Sequence, residues 1–256
     1  MRKSLITAAF LLAANNALAQ DAINCTSCAE WNKPVAPFNI YGNAYYVGTE
    51  GLSSVLVTSP QGHVLLDGAL PQSAPLIQKN IEALGFKMKD VKLILNSHAH
   101  FDHAGGIAAL QKASGATVVH TAHGAQVLRD GTPGPDDPQY DLEERAYIPK
   151  VAQVKEVKDG ETLSVGPLRF TAHTTPGHTP GGITWTWQSC EGGKCLDVVY
   201  ADSLTMISTD GFYYTGGPGY PDRSASAKAS IAKVAALKCD IVVAAHPSAT
   251  DAFGKA

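Results

Sequence analysis

The sequence holds one stretch dense in metal-ligand side chains, His98-Ala99-His100-Phe101-Asp102-His103, in which four of six residues can donate a lone pair to a cation. An apolar run, Val91 to Leu95, precedes it and the pair Gly105-Gly106 follows. The run is short and rich in β-branched residues and leucine, which predicts a buried strand; the glycines and Ile107-Ala108-Ala109-Leu110 predict the start of a helix. The cluster therefore belongs on a strand-to-helix turn, where α/β sheets carry their sites. Residues two apart in extended chain point the same way, so His98 and His100 can share one ion. Asp102 and His103 lie past the bend, aimed elsewhere, which suggests a second ion beside the first.

Two further strand ends offer histidines. His178 lies in Thr174-Thr175-Pro176-Gly177-His178-Thr179-Pro180-Gly181-Gly182, where two prolines and three glycines exclude a helix and predict a tight loop. His246 follows the buried strand Ile241 to Ala245. Six donors suit two zinc ions with three protein ligands each, leaving positions open for water. His63, His120, His123 and His173 fall within strands or on helix faces, where a structural role is expected.

The elements that must position these residues follow in order. Ile40 to Val47, Ser54 to Thr58 and His63 to Leu66 read as strands of a meander, with Asp67-Gly68 at the edge of the site. Pro75 to Leu84 and Ile107 to Ala113 carry helical spacing, and Thr117 to His120 reads as a strand. Arg129 to Lys150, rich in proline and acids, is a long irregular connection of the functional or mobile kind, taken as the joint (129–150) between two halves of a single domain. The second half repeats strands and then a helix: Glu161 to Val165, Leu168 to His173, Ile183 to Trp187, Leu196 to Tyr200, and the alanine-rich helix Ser226 to Leu237. Ser208 to Arg223, with four glycines and three tyrosines, is expected to form a wall or lid.

Composition narrows the function classes. An apolar fraction of 45% against 17% charged residues describes an ordinary globular chain. Residues 1–19 have the form of a secretory signal peptide: Arg2 and Lys3, the apolar run Leu5 to Ala14, then Ala17-Leu18-Ala19 before Gln20. That apolar run is too short to span a bilayer and no later stretch could. Removing the leader with Arg2 and Lys3 takes the formal charge from −3 to −5, which argues against nucleic acid as a partner. Residues 20–256 are expected to be a periplasmic, monomeric domain with no nucleic-acid or membrane partner.

Export makes the five cysteines disulfide candidates. Cys190 and Cys195 flank Glu191-Gly192-Gly193-Lys194 between two strand-like runs and would staple a hairpin. Cys25 and Cys28 form a C-x-x-C without a βαβ pattern around it, which favours a local bridge or a pairing elsewhere over a thioredoxin-type site. Cys239 is left over, as a buried free thiol or one whose partner lies outside this sequence.

Together, H-x-H-x-D-H after a buried strand, T-P-G-H-T-x-G-G, A-D-S-L-T and A-A-H-P resemble the metallo-β-lactamase superfamily, with the exported chain and A-D-S-L-T most similar to subclass B3. The resemblance runs from about Ile40 to Ala256. It implies an α/β fold, the αββα sandwich, with two sheets face to face, helices outside and metals at one edge. By position, His98, His100 and His178 would hold one zinc and Asp102, His103 and His246 the other. A hydroxide between the ions would attack the lactam carbonyl, Asp102 would orient it, and Ser203 and Thr205 would hydrogen-bond the substrate carboxylate. Asp67 and Asp202 are expected to be supports rather than ligands. Chains of this subclass usually continue past A-H-P into a helix carrying a cysteine, so a missing tail would explain the unpaired Cys239. The implied activity is hydrolysis of penicillins, cephalosporins and carbapenems. The alternatives are a glyoxalase II-like thioesterase or lactonase on the same fold, or an exported zinc-binding protein without turnover.

Overall fold

The computed structural model describes residues 22–140, 147–218 and 220–254; the expected signal peptide lies outside them. Alternate residues of the central strands go to opposite sides of the first sheet, and both sides are apolar. This sheet runs in the order β1 (Phe38–Tyr41), β2 (Ala44–Tyr46), β3 (Val55–Val57), β4 (His63–Leu66), β5 (Val91–Leu95), β6 (Thr117–His120), β7 (Val154–Glu156). Strands β1 to β4 form an antiparallel meander, and β4 to β7 are parallel.

Leu56, Leu65, Ile94 and Val118 face one way, into a core with Ile77 and Ile81 of helix α2 (Ala74–Ala83), Ile107 and Leu110 of α4 (Ile107–Ser114), and Val127 and Leu128 of α5 (Ala122–Asp130). Val55, Val57, Val64, Leu66, Leu95 and Val119 face the other way, against the second sheet. Two short helices, α1 (Cys28–Trp31) and α3 (Phe101–Ala104), complete this half.

The second sheet has the order β12 (Ile241–Ala244), β11 (Lys194–Ala201), β10 (Ile183–Glu191), β9 (Leu168–Thr174), β8 (Thr162–Val165), with only β11 and β12 parallel. Its inner face contributes Phe170, Ile183, Trp185, Val198 and Tyr200 to the core between the sheets. Trp185 is fully buried, and its indole N–H donates to the Asn96 carbonyl at 3.0 Å. The Ile183 N–H likewise donates to the Ser97 carbonyl at 2.8 Å, so the second sheet grips the turn that carries His98. Helix α6 (Ser224–Ala235) docks over the end of β9, with Ser230 Oγ donating to the Pro176 carbonyl and Lys233 Nζ to that of Thr174.

Four expectations change. Ile40 to Val47 is a hairpin rather than one strand, because Gly42 takes φ +54° and reverses the chain. Helix α5 and strand β7 occupy stretches given no element from sequence. The chain passes between sheets after Glu156, beyond the 129–150 connection expected to be the joint, since β7 still belongs to the first sheet. Cys239 is an exposed free thiol rather than a buried one. The other four cysteines pair locally, Cys25 with Cys28 and Cys190 with Cys195, the second pair directly across the β10–β11 hairpin.

Candidate metal centre

Every strand end named from sequence opens on one mouth of the sandwich. Following β5, residues 96–100 carry His98 and His100, and α3 carries Asp102 and His103; His178 sits on the loop after β9 and His246 after β12. His98 and His103 have no solvent exposure, whereas the His246 side chain is 30% exposed.

Two donor groups result. The rings of His98, His100 and His178 lie 4.8–5.1 Å apart in pairs, with one donor atom from each within 4.8 Å of the other two. Around Asp102, His103 Nε2 is 3.3 Å from Oδ2, His246 Nε2 is 3.4 Å from the same oxygen, and the two nitrogens are 3.2 Å apart. His98 also lies within 4.8 Å of Asp102 and His103, so the groups adjoin.

What orients each ring is the nitrogen it turns away. His98 Nδ1 donates to Asp202 Oδ1 at 2.8 Å, and His178 Nδ1 to the Thr205 carbonyl at 2.9 Å. His246 Nδ1 donates to the Gly51 carbonyl at 3.1 Å. His100 is reversed: its Nε2 meets the Asp137 carboxylate at 3.0 and 3.1 Å, which leaves Nδ1 for the cluster. Such contacts fix the tautomer and aim an unprotonated nitrogen inward. His103 is the exception, its Nδ1 buried and 3.7 Å from Asp67 Oδ2, without a hydrogen-bond partner among the described residues.

The electrostatics of His98, His178 and Asp102 suit ligation, whereas, against the effect of burial, the Asp137 carboxylate raises His100 and the Asp102 carboxylate raises His246. Burial, then the neighbouring imidazoles, push His98 well below its ordinary pKa, and the same causes lower His178 to about 4. Burial alone would raise Asp102, but His103 and His246 outweigh it and hold the carboxyl well below the usual range. Neutral imidazoles and an ionised carboxylate are the forms that bind a metal. The buried His98 Nε2 has no hydrogen-bond partner among the described residues, and its neighbours are other lone-pair donors. A cation satisfies such a set; another hydrogen-bond acceptor does not.

The supports named from sequence are in place. Asp67 accepts from Ser97 N–H, Ser97 Oγ, Asn96 Nδ2 and Tyr200 OH, which pins the start of the ligand turn. Asp202 is buried, and the loop beside it leaves no space: a Cβ on Gly182 would stand 2.1 Å from Asp202 Oδ2. Ser203 is half-buried, and Thr205 holds His178 through its carbonyl while its side chain is exposed. His63, His120, His123 and His173 stand outside both groups.

Sequence reasoning missed Asp137, whose only signal was an acid in a proline-rich connection. It also missed Trp31, whose ring lies 5.3 Å from that of His246 and 6.5 Å from Phe101.

A family profile described as the metallo-beta-lactamase superfamily matches residues 47–246. Among solved structures, MEM-A1, a subclass B3 metallo-beta-lactamase from a soil metagenome library, is 53% identical with a TM-score of 0.86, covering 88% of this chain and 84% of that one. The Rm3 metallo-beta-lactamase is 52% identical with a TM-score of 0.88, covering 91% and 86%. A curated relative, hydroxyacylglutathione hydrolase of Anaeromyxobacter dehalogenans, is 34% identical over 95 residues, 37% of this chain; the match spans only 28% of that protein's length. With the profile covering most of the sequence and both donor groups inside or at the edge of the matched region, the chain belongs to the metallo-beta-lactamase superfamily.

Proposed function

We propose that this protein hydrolyses the amide bond of β-lactam antibiotics, namely penicillins, cephalosporins and carbapenems, at two zinc ions, as a subclass B3-like enzyme. The observation that carries the reading is the pair of adjoining donor groups at one sandwich mouth, in a chain 53% identical to the subclass B3 enzyme MEM-A1 and 52% identical to the Rm3 metallo-beta-lactamase. His98, His100 and His178 would hold one ion and Asp102, His103 and His246 the other. When bound, the pair supplies an acidified water as nucleophile and positive charge for the carbonyl oxygen and the departing nitrogen.

The protein's own contribution is orientation and exclusion of water. The ring contacts of Asp202, Asp137, Thr205 and Gly51 fix four imidazoles before any ion arrives. Asp102 holds a proton of the attacking water at a carboxylate oxygen and aims its lone pair at the lactam carbonyl. Ser203 and Thr205 hydrogen-bond the substrate carboxylate, which sets the ring across the mouth. Residues 203–218 and 132–140 form its walls.

Two disulfides support an oxidising address, which we take to be the periplasm, and we take the protein to act as a monomer. Among the described residues no helix is long and apolar enough to cross a membrane.

A thioester or lactone hydrolase is the second reading, since the curated relative is a hydroxyacylglutathione hydrolase. In that reading Asp202 would be a metal ligand. Here its Oδ1 is taken by His98 Nδ1, the ring nitrogen turned away from the cluster, which favours the lactam reading.

The deciding measurement is absorbance decay of a carbapenem with purified protein, with added zinc and with a chelator. Decay abolished by chelation and restored by zinc supports the proposal. No decay with two zinc ions bound rejects it: thioester or lactone turnover then selects the second reading, and no turnover of any of these leaves a zinc-binding protein without catalysis.

A further inference from the structure

The segment 132–140 does more than line the mouth. Asp137 meets His100 Nε2 with both carboxylate oxygens, and its Oδ1 also accepts the Gln139 N–H at 2.8 Å. Its own N–H donates to the Gly134 carbonyl at 2.9 Å, so the residue is fixed through backbone and side chain together. The next carbonyl, that of Pro138, accepts the Thr209 N–H at 2.9 Å and faces Thr209 Oγ1 at 3.3 Å. Two adjacent residues therefore tie the His98–His100–His178 group to the 203–218 wall.

We propose that Asp137 is the positioning residue that sets metal affinity in the three-histidine group, and that the Pro138–Thr209 contact makes this affinity depend on where the 203–218 wall sits. The inference rests on reading the cluster as a zinc centre. A carboxylate suits the position because both oxygens can only accept, and each neighbour, the His100 ring N–H and the Gln139 N–H, is a donor. An asparagine would keep one acceptor but lose the charge that favours His100 with its proton on Nε2. Motion of the wall is transmitted because Thr209 and His100 are held by neighbouring residues of one short turn.

The test is metal affinity, measured by cobalt or zinc competition against a chromophoric chelator and by elemental counting, independent of turnover. It is run in a His246→Ala background, so that the first-group ion is the one being read, and in a His178→Ala background, so that the second is. Asp137→Asn is expected to weaken the first ion by about 10- to 100-fold and to leave the second unchanged. Thr209→Pro, which deletes the wall's N–H without touching either group, is expected to weaken the first ion by a smaller factor, and it stands alone if the Asp137 variant does not fold. Equal affinity in parent and Asp137→Asn, or equal weakening of both ions, overturns the positioning role. Unchanged affinity in Thr209→Pro overturns the coupling. A parent protein that binds neither metal rejects the zinc reading itself, a result distinguishable from either.

Discussion

The two donor groups are built to different standards. Each ring of the first is buried and has its outward nitrogen taken: His98 by Asp202, His100 by Asp137, His178 by Thr205. In the second, His103 Nδ1 has no hydrogen-bond partner among the described residues and the His246 side chain is 30% exposed, leaning on Trp31. Pre-fixed ligands lose less freedom when an ion binds. The first group should therefore hold its ion more tightly, and the second should respond more to the apolar packing around it.

The sharpest break is His98→Ala. His98 is the donor within reach of both groups, so its removal should disable both and cost kcat/KM more than the roughly hundredfold ceiling of a supporting contact. Retention of near-parent turnover would mean that the groups work independently. Next, Asp202→Asn should lower first-group affinity by about 10- to 100-fold while the second ion stays put. The chelated variant should melt no lower than the parent, since burial and the nearby Asp67 carboxylate already disfavour an ionised Asp202. Unchanged first-group affinity would show that ring-holding is not what separates the groups.

Trp31→Ala should weaken only the second ion, by up to about tenfold, as loss of an apolar wall does; a shift confined to the first ion would reverse the comparison. The smallest effect on the site should come from Cys190→Ser with Cys195→Ser. Closing so short a loop accounts for about 2 kcal/mol in the chain-entropy description, so the melting point should fall while both affinities and kcat hold. Altered metal binding in that variant would place the hairpin tip in contact with the site through the sheet.

The ligand turn was legible because four donors share six residues and their secondary-structure context is local: a β-branched run before, a glycine pair after. His178 and His246 were legible for a related reason, each closing an apolar strand. Asp137 was not, because what gives it meaning is His100, 37 residues earlier, across a connection with no periodicity. Helix α5 was masked by Gly124, which lies against the His120 ring with no room for a Cβ, so a packing glycine stood where a helix former would signal. Strand β7, Val154-Lys155-Glu156, is a short, polar edge strand, and only its pairing with β6 marks it. The Gly42 turn carried a signal that was passed over, a glycine and an asparagine between two aromatic runs.

His246 pairs with His103 across 143 residues and follows the last strand of the second sheet. Contacts of that separation form late in folding. The three-histidine group and the contacts that hold its rings need the chain only as far as Thr205, ahead of β12, so the two ions should enter in sequence during refolding, the second no sooner than β12 docks beside β11. Zinc uptake followed in real time would then serve as a clock for folding, its slower phase timing the closure of the second sheet.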